Sequence, residues 1–299
     1  MKILVVGRGG QLARSLLEAA VAAGIQVQSL GRPEIDLTRE KSVSAQLARV
    51  HPDLVINAAA YTAVDKAESE PALAHAVNAL GAEYVAKACA SHSIPMIHIS
   101  TDYVFDGNKD SPYLEGDPTG PINVYGSTKL EGEQRVMRAC ARHLILRTAW
   151  VYSPWGTNFV KSMLRLAETR RSIGVVEDQL GSPTYAPDLA RTILSLATLV
   201  LREPDAKRWG IYHVVGGGDT SWFGFAREVF RRADDNGLPV AEVAGIAASA
   251  YPTAARRPAN SRLNCDKLRL SFGLELPEWR LALEQCVARL AASGQVADS

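Results

Sequence analysis

The chain opens on a short apolar run, Lys2–Gly7, without polar alternation, and from about Gln11 to Ala23 shifts to a helical period. The exchange then repeats. Gln26–Leu30, Asp53–Ala60, Met96–Phe105 and His143–Tyr152 predict further strands. Helical patterns start near Thr38, cover Pro71 to Ser91, and run from Ser127 to Ala141. Strands that lack a polar face and alternate with helices belong in a parallel sheet covered on both sides.

After Tyr152 the pattern changes. Ser153 to Gly156 is a turn cluster, and the short strands Ile173–Gln179 and Ile211–Val215 lie among loops rich in Gly, Pro and aromatics. Pro187–Leu201 is again an apolar helix, suited to pack back on the sheet. The expected fold is α/β: a Rossmann-type doubly wound parallel sheet with a smaller, interleaved C-terminal lobe that binds substrate. The sheet domain is placed at 1–152, with 187–209 packing back on it. The lobe is placed at 153–186 and 210–299.

Composition narrows the function classes. With 299 residues, 47% of them hydrophobic, the chain can bury a large core. Its 33 basic and 32 acidic residues leave a net charge of +1 with no charged block, which argues against nucleic acid and membrane surfaces as partners. No stretch reaches the roughly 18 apolar residues of a membrane span. No leader pattern precedes the first strand, so a cytoplasmic location is expected. Cys89, Cys140, Cys265 and Cys286 lie far apart, as do the six histidines, and share no metal-ligand spacing.

The first strand ends in Gly7-Arg8-Gly9-Gly10-Gln11-Leu12-Ala13. A glycine-rich turn between a strand and a helix lets backbone N–H groups approach a pyrophosphate, and the helix end adds partial positive charge. Gly7, Gly10, Gln11 and Leu12 are therefore candidate dinucleotide contacts. The second strand ends in Gly31-Arg32, where NAD-selective folds often place a carboxylate for the ribose. An arginine there suits a 2′-phosphate, which favours NADPH over NADH; otherwise Arg32 is a solvated surface charge. Asp36 and Leu37 either flank the adenine or cap the next helix. Small residues from Asn57 through Ala60, followed by Tyr61 and Thr62, leave room for a flat ligand or for close helix packing.

Two motifs carry candidate chemistry. Tyr125 and Lys129 stand one helical turn apart on one face. A phenol titrates near 10 and needs a neighbouring ammonium to act near neutrality. The strand before that helix ends in Ser100-Thr101-Asp102-Tyr103. A Thr101 hydroxyl at that end can donate to a substrate carbonyl as it becomes an alkoxide. In the second half, Asp178 to Thr184 and Arg256 to Arg262 hold polar groups suited to a nucleoside diphosphate. Arg256, Arg257 and Arg262 either pair with that diphosphate or face solvent. Trp150 either covers the apolar face of a sugar or fills core.

Together these residues resemble the extended short-chain dehydrogenase/reductases. Gly10-Gln11-Leu12, Asn57 through Glu68, Ser100 to Phe105, Asn123 to Gly126, Arg147 to Tyr152, Asp178 to Thr184 and Arg257 to Leu263 are similar, in order, to the dTDP-4-dehydrorhamnose reductase family. The resemblance implies reduction of dTDP-4-dehydro-β-L-rhamnose at C4 by NADPH or NADH, a step in making rhamnose-containing surface glycans such as lipopolysaccharide. It implies Tyr125 as proton donor, Lys129 as the group that holds the nicotinamide ribose and lowers the Tyr125 pKa, and Thr101 as carbonyl polariser. It implies sugar contacts from Thr101, Asp102 and Trp150. Cofactor contacts would come from Gly10 to Leu12, Gly31, Asp36, Leu37, Ala60 to Thr62, Tyr125 and Lys129. By resemblance alone, a homodimer and a Mg²⁺ ion come into view, with no cluster of ligands identifiable for the metal. Two alternatives remain: a non-catalytic NADP-binding regulatory subunit resembling the β subunit of methionine adenosyltransferase, or a reductase or epimerase of another sugar nucleotide.

Overall fold

The computed structural model describes residues 1–203 and 208–294. The first half resolves into β1 (Lys2–Val6), α1 (Gln11–Ala23), β2 (Gln26–Leu30), α2 (Glu40–Val50) and β3 (Leu54–Asn57). Two short helices follow, α3 (Val64–Ser69) and α4 (Pro71–His75), then a wide turn of π type at Ala76–Leu80 and α5 (Gly81–Ser91). Next come β4 (Met96–Thr101), a 3-10 turn at Asp102–Val104, α6 (Val124–Ala139) and β5 (His143–Thr148). The second half adds β6 (Val151–Tyr152), α7 (Phe159–Ala167), β7 (Ser172–Val176), β8 (Leu180–Gly181) and β9 (Thr184–Tyr185). It continues with α8 (Ala186–Arg202), β10 (Gly210–His213), β11 (Thr220–Ser221) and α9 (Trp222–Asp235). The last elements are β12 (Glu242–Ile246), α10 (Asp266–Phe272) and α11 (Trp279–Ser293).

The main sheet has six parallel strands in the order β10-β5-β4-β3-β1-β2. Alternate side chains of β1 feed opposite cores, as strand pleating requires. Ile3 and Val5 join α1 and α8 through Leu16 and Ile193. Leu4 and Val6 join α2, α5 and α6 through Leu47, Val85 and Val136. Every residue of β3 and β5 is buried, so a strand of this sheet has no face on which polar alternation could appear.

The chain leaves β1 toward β2 on one side, and β3 pairs on the other side of β1. This reversal opens a crevice at the carboxyl ends of β1 and β3, where open α/β sheets take ligands.

A second core lies beyond the sheet. Tyr152, Leu164, Phe225, Val229, Trp279 and Leu283 unite α7, α9 and α11. The small sheets β7–β12, β8–β11 and β6–β9 border it. The segment 253–263 straps this half to the first. Asn123 Nδ2 donates to the Arg256 carbonyl at 2.8 Å, and a Cβ on Gly107 would meet the Pro258 Cβ at 2.5 Å.

Three elements differ from the sequence pattern. The strand expected over His143–Tyr152 breaks at Trp150, whose φ of 46° lies in the left-handed region. The helix expected over Pro71–Ser91 is widened by the π turn, which holds Asn78 inward. The strand expected in the lobe near Ile211–Val215 instead pairs with β5 as β10, at the sheet edge, because α8 packs on α1 and returns the chain there. The expected ranges 187–209 and 210–299 include 204–207 and 295–299, which lie outside the described residues.

Candidate active site

The glycine turn stands at the crevice. Gly7, at φ 135°, is pressed against β3, where a Cβ would come within 3.2 Å of the Ala59 nitrogen. Gly9 has φ 76°, while a Cβ on Gly9 or Gly10 would meet nothing within 4 Å. Gly10 caps α1 without a side-chain hydrogen bond, and no acidic residue stands in the first turn. The helix N-terminus therefore opens onto free space with its donors unused by side chains, an arrangement that suits a pyrophosphate. Gly31 lies flat on this turn, since a Cβ there would stand 2.6 Å from the Arg8 Cβ. These features fit a dinucleotide.

The other expected cofactor contacts divide. Arg32 is exposed at the end of β2, near Arg8, which forks onto Glu34 at 2.7 and 2.8 Å. Asp36 accepts the Thr38 N–H at 3.0 Å and its hydroxyl at 2.8 Å, bonds that hold its carboxyl below the usual range. These bonds close a local turn and do not cap α2, whose N-cap is Arg39 without a side-chain hydrogen bond. Leu37 is buried, with Gly81 too close to admit a Cβ. Gln11 turns away from the crevice: its amide accepts from Ser153 Oγ (2.8 Å) and Asn158 Nδ2 (3.1 Å) and donates to the Val151 carbonyl (3.3 Å). Leu12 packs on the α1–α8 core. Ala60 and Tyr61 are half-buried and Thr62 is exposed. Asn78 clasps Tyr61, accepting its N–H at 2.8 Å and donating to its carbonyl at 3.2 Å. The Tyr61 phenol donates to Glu70 at 2.6 Å, which pushes its pKa up to about 12.

Tyr125 enters α6 at its first turn, which Asn123 caps by accepting the Gly126 N–H at 2.7 Å. Gly126 is needed there because a Cβ would stand 2.2 Å from the Tyr103 carbonyl oxygen. The helix start thus sits directly on the 3-10 turn, and the Tyr103 and Tyr125 rings meet edge-on at 5.8 Å. Thr101, at the end of β4, is near enough to hydrogen-bond the Tyr125 phenol. Its hydroxyl donates to Asp102 Oδ1 at 2.9 Å and accepts the Tyr103 N–H at 3.2 Å.

Burial pushes the Tyr125 phenol up to about 12; the nearby Thr101 hydroxyl opposes that, and the charge of Asp102 adds to it. Lys129 is buried one turn along, where its ammonium donates to the Ile99 carbonyl at 2.6 Å. Burial brings its own pKa down to about 8, against the pull of Glu133. The unliganded site therefore holds a neutral phenol, the form that can give up a proton.

Beneath this pair lies a group that sequence reasoning missed. Glu133, one further turn along α6, is met by Arg147 of β5 through Nε at 3.0 Å and Nη2 at 2.7 Å. It also accepts the Ser100 hydroxyl at 2.5 Å. The spacing Tyr125, Lys129, Glu133 on one helix face was the available signal.

On the substrate side, Trp150 stacks on Trp222 with centroids 3.5 Å apart and an interplanar angle of 7°. Gly181 lies against the indole, where a Cβ would stand 2.3 Å away. Trp222 and Phe159, 4.6 Å apart, complete a half-buried aromatic wall at the edge of the second core; neither drew notice in the sequence. Arg257 pairs with Asp65 at 2.7 Å, and Arg262 with Asp219 at 3.2 Å. Both are engaged by carboxylates across the strap, whereas Arg256 is exposed.

Among the described residues, no three His, Cys, Asp or Glu side chains gather closely enough to hold a metal ion. No helix among the described residues is long and apolar enough to cross a membrane.

Comparison with known proteins agrees over nearly the full length. The family profile described as RmlD substrate binding domain matches residues 1–292. The dTDP-4-dehydrorhamnose reductase of Sinorhizobium fredii is 48% identical over 295 residues, covering 99% of each chain. That of Escherichia coli K12 is 43% identical over 296 residues, covering 97% of this chain and 98% of its own. Among solved structures, a dTDP-4-dehydrorhamnose reductase from Clostridium acetobutylicum superposes with a TM-score of 0.89 at 38% identity, over 97% of this chain and 99% of its own. One from Bacillus anthracis, in complex with NADP, gives 0.88 at 35% identity, over 97% of this chain and 100% of its own. With a sheet of six parallel strands, a glycine turn at its switch point and this continuous similarity, the chain belongs to the RmlD family of dTDP-4-dehydrorhamnose reductases.

Proposed function

We propose that this protein reduces the C4 carbonyl of dTDP-4-dehydro-β-L-rhamnose to the alcohol, with NADPH as the preferred reductant. The observation that carries the reading is the half-buried Tyr125 phenol beside the Thr101 hydroxyl, at the crevice edge opened by the glycine turn. The reduced nicotinamide, when bound, supplies the two electrons as a hydride equivalent. Gly7, Gly9, Gly10 and Gly31 leave the backbone open to its pyrophosphate. Tyr125 gives its proton to the carbonyl oxygen, and Thr101 donates a hydrogen bond to the same oxygen as charge builds there. The Lys129 ammonium, held by the Ile99 carbonyl, keeps positive charge beside the phenolate left behind. Trp150 and Trp222 form an apolar wall suited to one face of a deoxysugar.

NADPH is favoured because Arg32 stands exposed at the end of β2, where its guanidinium can meet a 2′-phosphate, while Arg8 is taken up by Glu34. The sheet unit 1–152 with α8 would hold the cofactor, and the second core with the strap would hold the nucleotide sugar.

The test follows loss of NADPH absorbance with dTDP-4-dehydrorhamnose. Wild type should turn over, and Tyr125→Phe should lose at least about 10²-fold in kcat. No cofactor oxidation by wild type removes the reading, and undiminished turnover in Tyr125→Phe removes the proton donor.

A further inference from the structure

The hydrogen bonds around Thr101 point the wrong way for its role as a donor. A hydroxyl carries one proton and two lone pairs. The Thr101 proton goes to Asp102 Oδ1 at 2.9 Å, and one lone pair takes the Tyr103 N–H at 3.2 Å. While that bond stands, Thr101 has nothing left to donate to a substrate carbonyl. A bond to an ionised carboxylate is also the stronger kind, so a neutral carbonyl oxygen competes poorly for the same proton.

Asp102 is itself unusual. Its side chain is buried with only 3% of the residue exposed, and Oδ2 has no hydrogen-bond partner among the described residues. Ser261, on the strap, stands near enough to favour the anion. Tyr103 faces Asp102 from its own turn and Tyr125 from α6. The Arg257–Asp65 pair lies beyond Tyr103, and Lys129 points to the Ile99 carbonyl instead.

We infer that Asp102 is a positioning residue that sets the direction of the Thr101 hydroxyl, and that the neutral carboxyl is the productive form. This rests on the reductase reading above. A protonated Asp102 reverses the bond. Its O–H donates to Thr101 Oγ1, which still accepts the Tyr103 N–H, and the Thr101 proton is freed for the substrate oxygen. Asp102 keeps its proton through turnover. The proton added to the product comes from Tyr125, and the electrons from the reduced nicotinamide.

Burial supports the idea by moving the Asp102 pKa up to about 6, against the nearby Ser261 and Thr101 hydroxyls. The neutral form is thus lost as pH rises through that value. The experiment is kcat/KM against pH, with NADPH and dTDP-4-dehydrorhamnose, in wild type, Asp102→Asn, Thr101→Val and Tyr125→Phe. Wild type should fall roughly tenfold or more between about pH 5.5 and 7.5. In Asp102→Asn the amide N–H donates to Thr101 at every pH, so the change should shrink to less than about twofold. In Thr101→Val there is no hydroxyl to orient, and the limb should again vanish, whatever the fate of the Asn variant. A limb that persists in either variant overturns the inference. So does a wild-type profile that rises through this range, which would make the anion a direct substrate contact. Tyr125→Phe separates the two claims. If it turns over undiminished, the proton-donor assignment falls and the inference with it; if it loses activity at all pH values, only the limb is at issue, and the reductase reading itself falls only if wild type oxidises no NADPH.

Discussion

Arg147→Met removes the cation that is hydrogen-bonded to the buried Glu133 carboxylate. The carboxylate of Glu133 is fully buried and the Arg147 side chain only 3% exposed. Arg147 makes three contacts to it, at 2.7, 3.0 and 3.3 Å, and only the Ser100 hydroxyl would remain. Methionine keeps apolar bulk, so the loss is mainly of charge. Breaking a buried pair by removing one partner costs about 3–5 kcal/mol, because the remaining charge is desolvated and uncompensated. That is roughly two to three and a half powers of ten in the folding equilibrium. Arg269–Asp266 provides the control: its N···O distance is also 2.7 Å, but its side chains are 58% and 57% exposed. Breaking it should cost less than about 1 kcal/mol, since water screens both groups. Urea unfolding followed by circular dichroism reads both, with the slope checked for constancy. The double variant Arg147→Met/Glu133→Leu should recover most of the loss, because an apolar pair is not penalised for burial. A loss below about 1 kcal/mol in the single variant, or no recovery in the double, refutes the reasoning. The pair matters to function because it pins the helix that carries Tyr125 and Lys129 against β4 and β5.

Other substitutions test the site directly. Gly126→Ala puts a methyl group 2.2 Å from the Tyr103 carbonyl, so α6 must shift; kcat should fall at least roughly tenfold with a stability loss of about 1–3 kcal/mol, and an unchanged kcat would contradict the close contact. Because burial lowers Lys129 to about 8, its ammonium is lost as pH rises through that value, and kcat/KM of Asp102→Asn, free of the Asp102 limb, should decline there; a profile flat to about pH 9.5 in that variant would show that the charge is not needed. Arg32→Ala should raise the KM for NADPH several-fold and leave that for NADH nearly unchanged, and equal effects on both would assign Arg32 to solvent.

Periodicity and local spacing carried the fold and the heart of the site. Strands buried on both faces must be apolar throughout, so β1, β3 and β5 stand out as runs between helices. A glycine turn between a strand and a helix is a local structure, as is the one-turn offset of Tyr125 and Lys129. Both are written within a dozen residues of chain. Partners supplied from far along the chain are not. Arg257 has two readings in the sequence, a diphosphate ligand or a solvated charge, and the strap adds a partner to it in Asp65, 192 residues away. Trp150 likewise gains Trp222 as a stacking partner, and Glu133, which the sequence did not single out, gains Arg147 from β5. The burial around the Tyr125 phenol is likewise tertiary, since the 3-10 turn with Tyr103 closes on the start of α6. What the amino-acid sequence determined alone is the parallel sheet, the glycine turn between its first strand and helix, and the Tyr125–Lys129 face. What only the tertiary structure decided is which charges are spent on one another and which hydroxyl protons are free, because desolvation and pairing depend on everything that closes around a group.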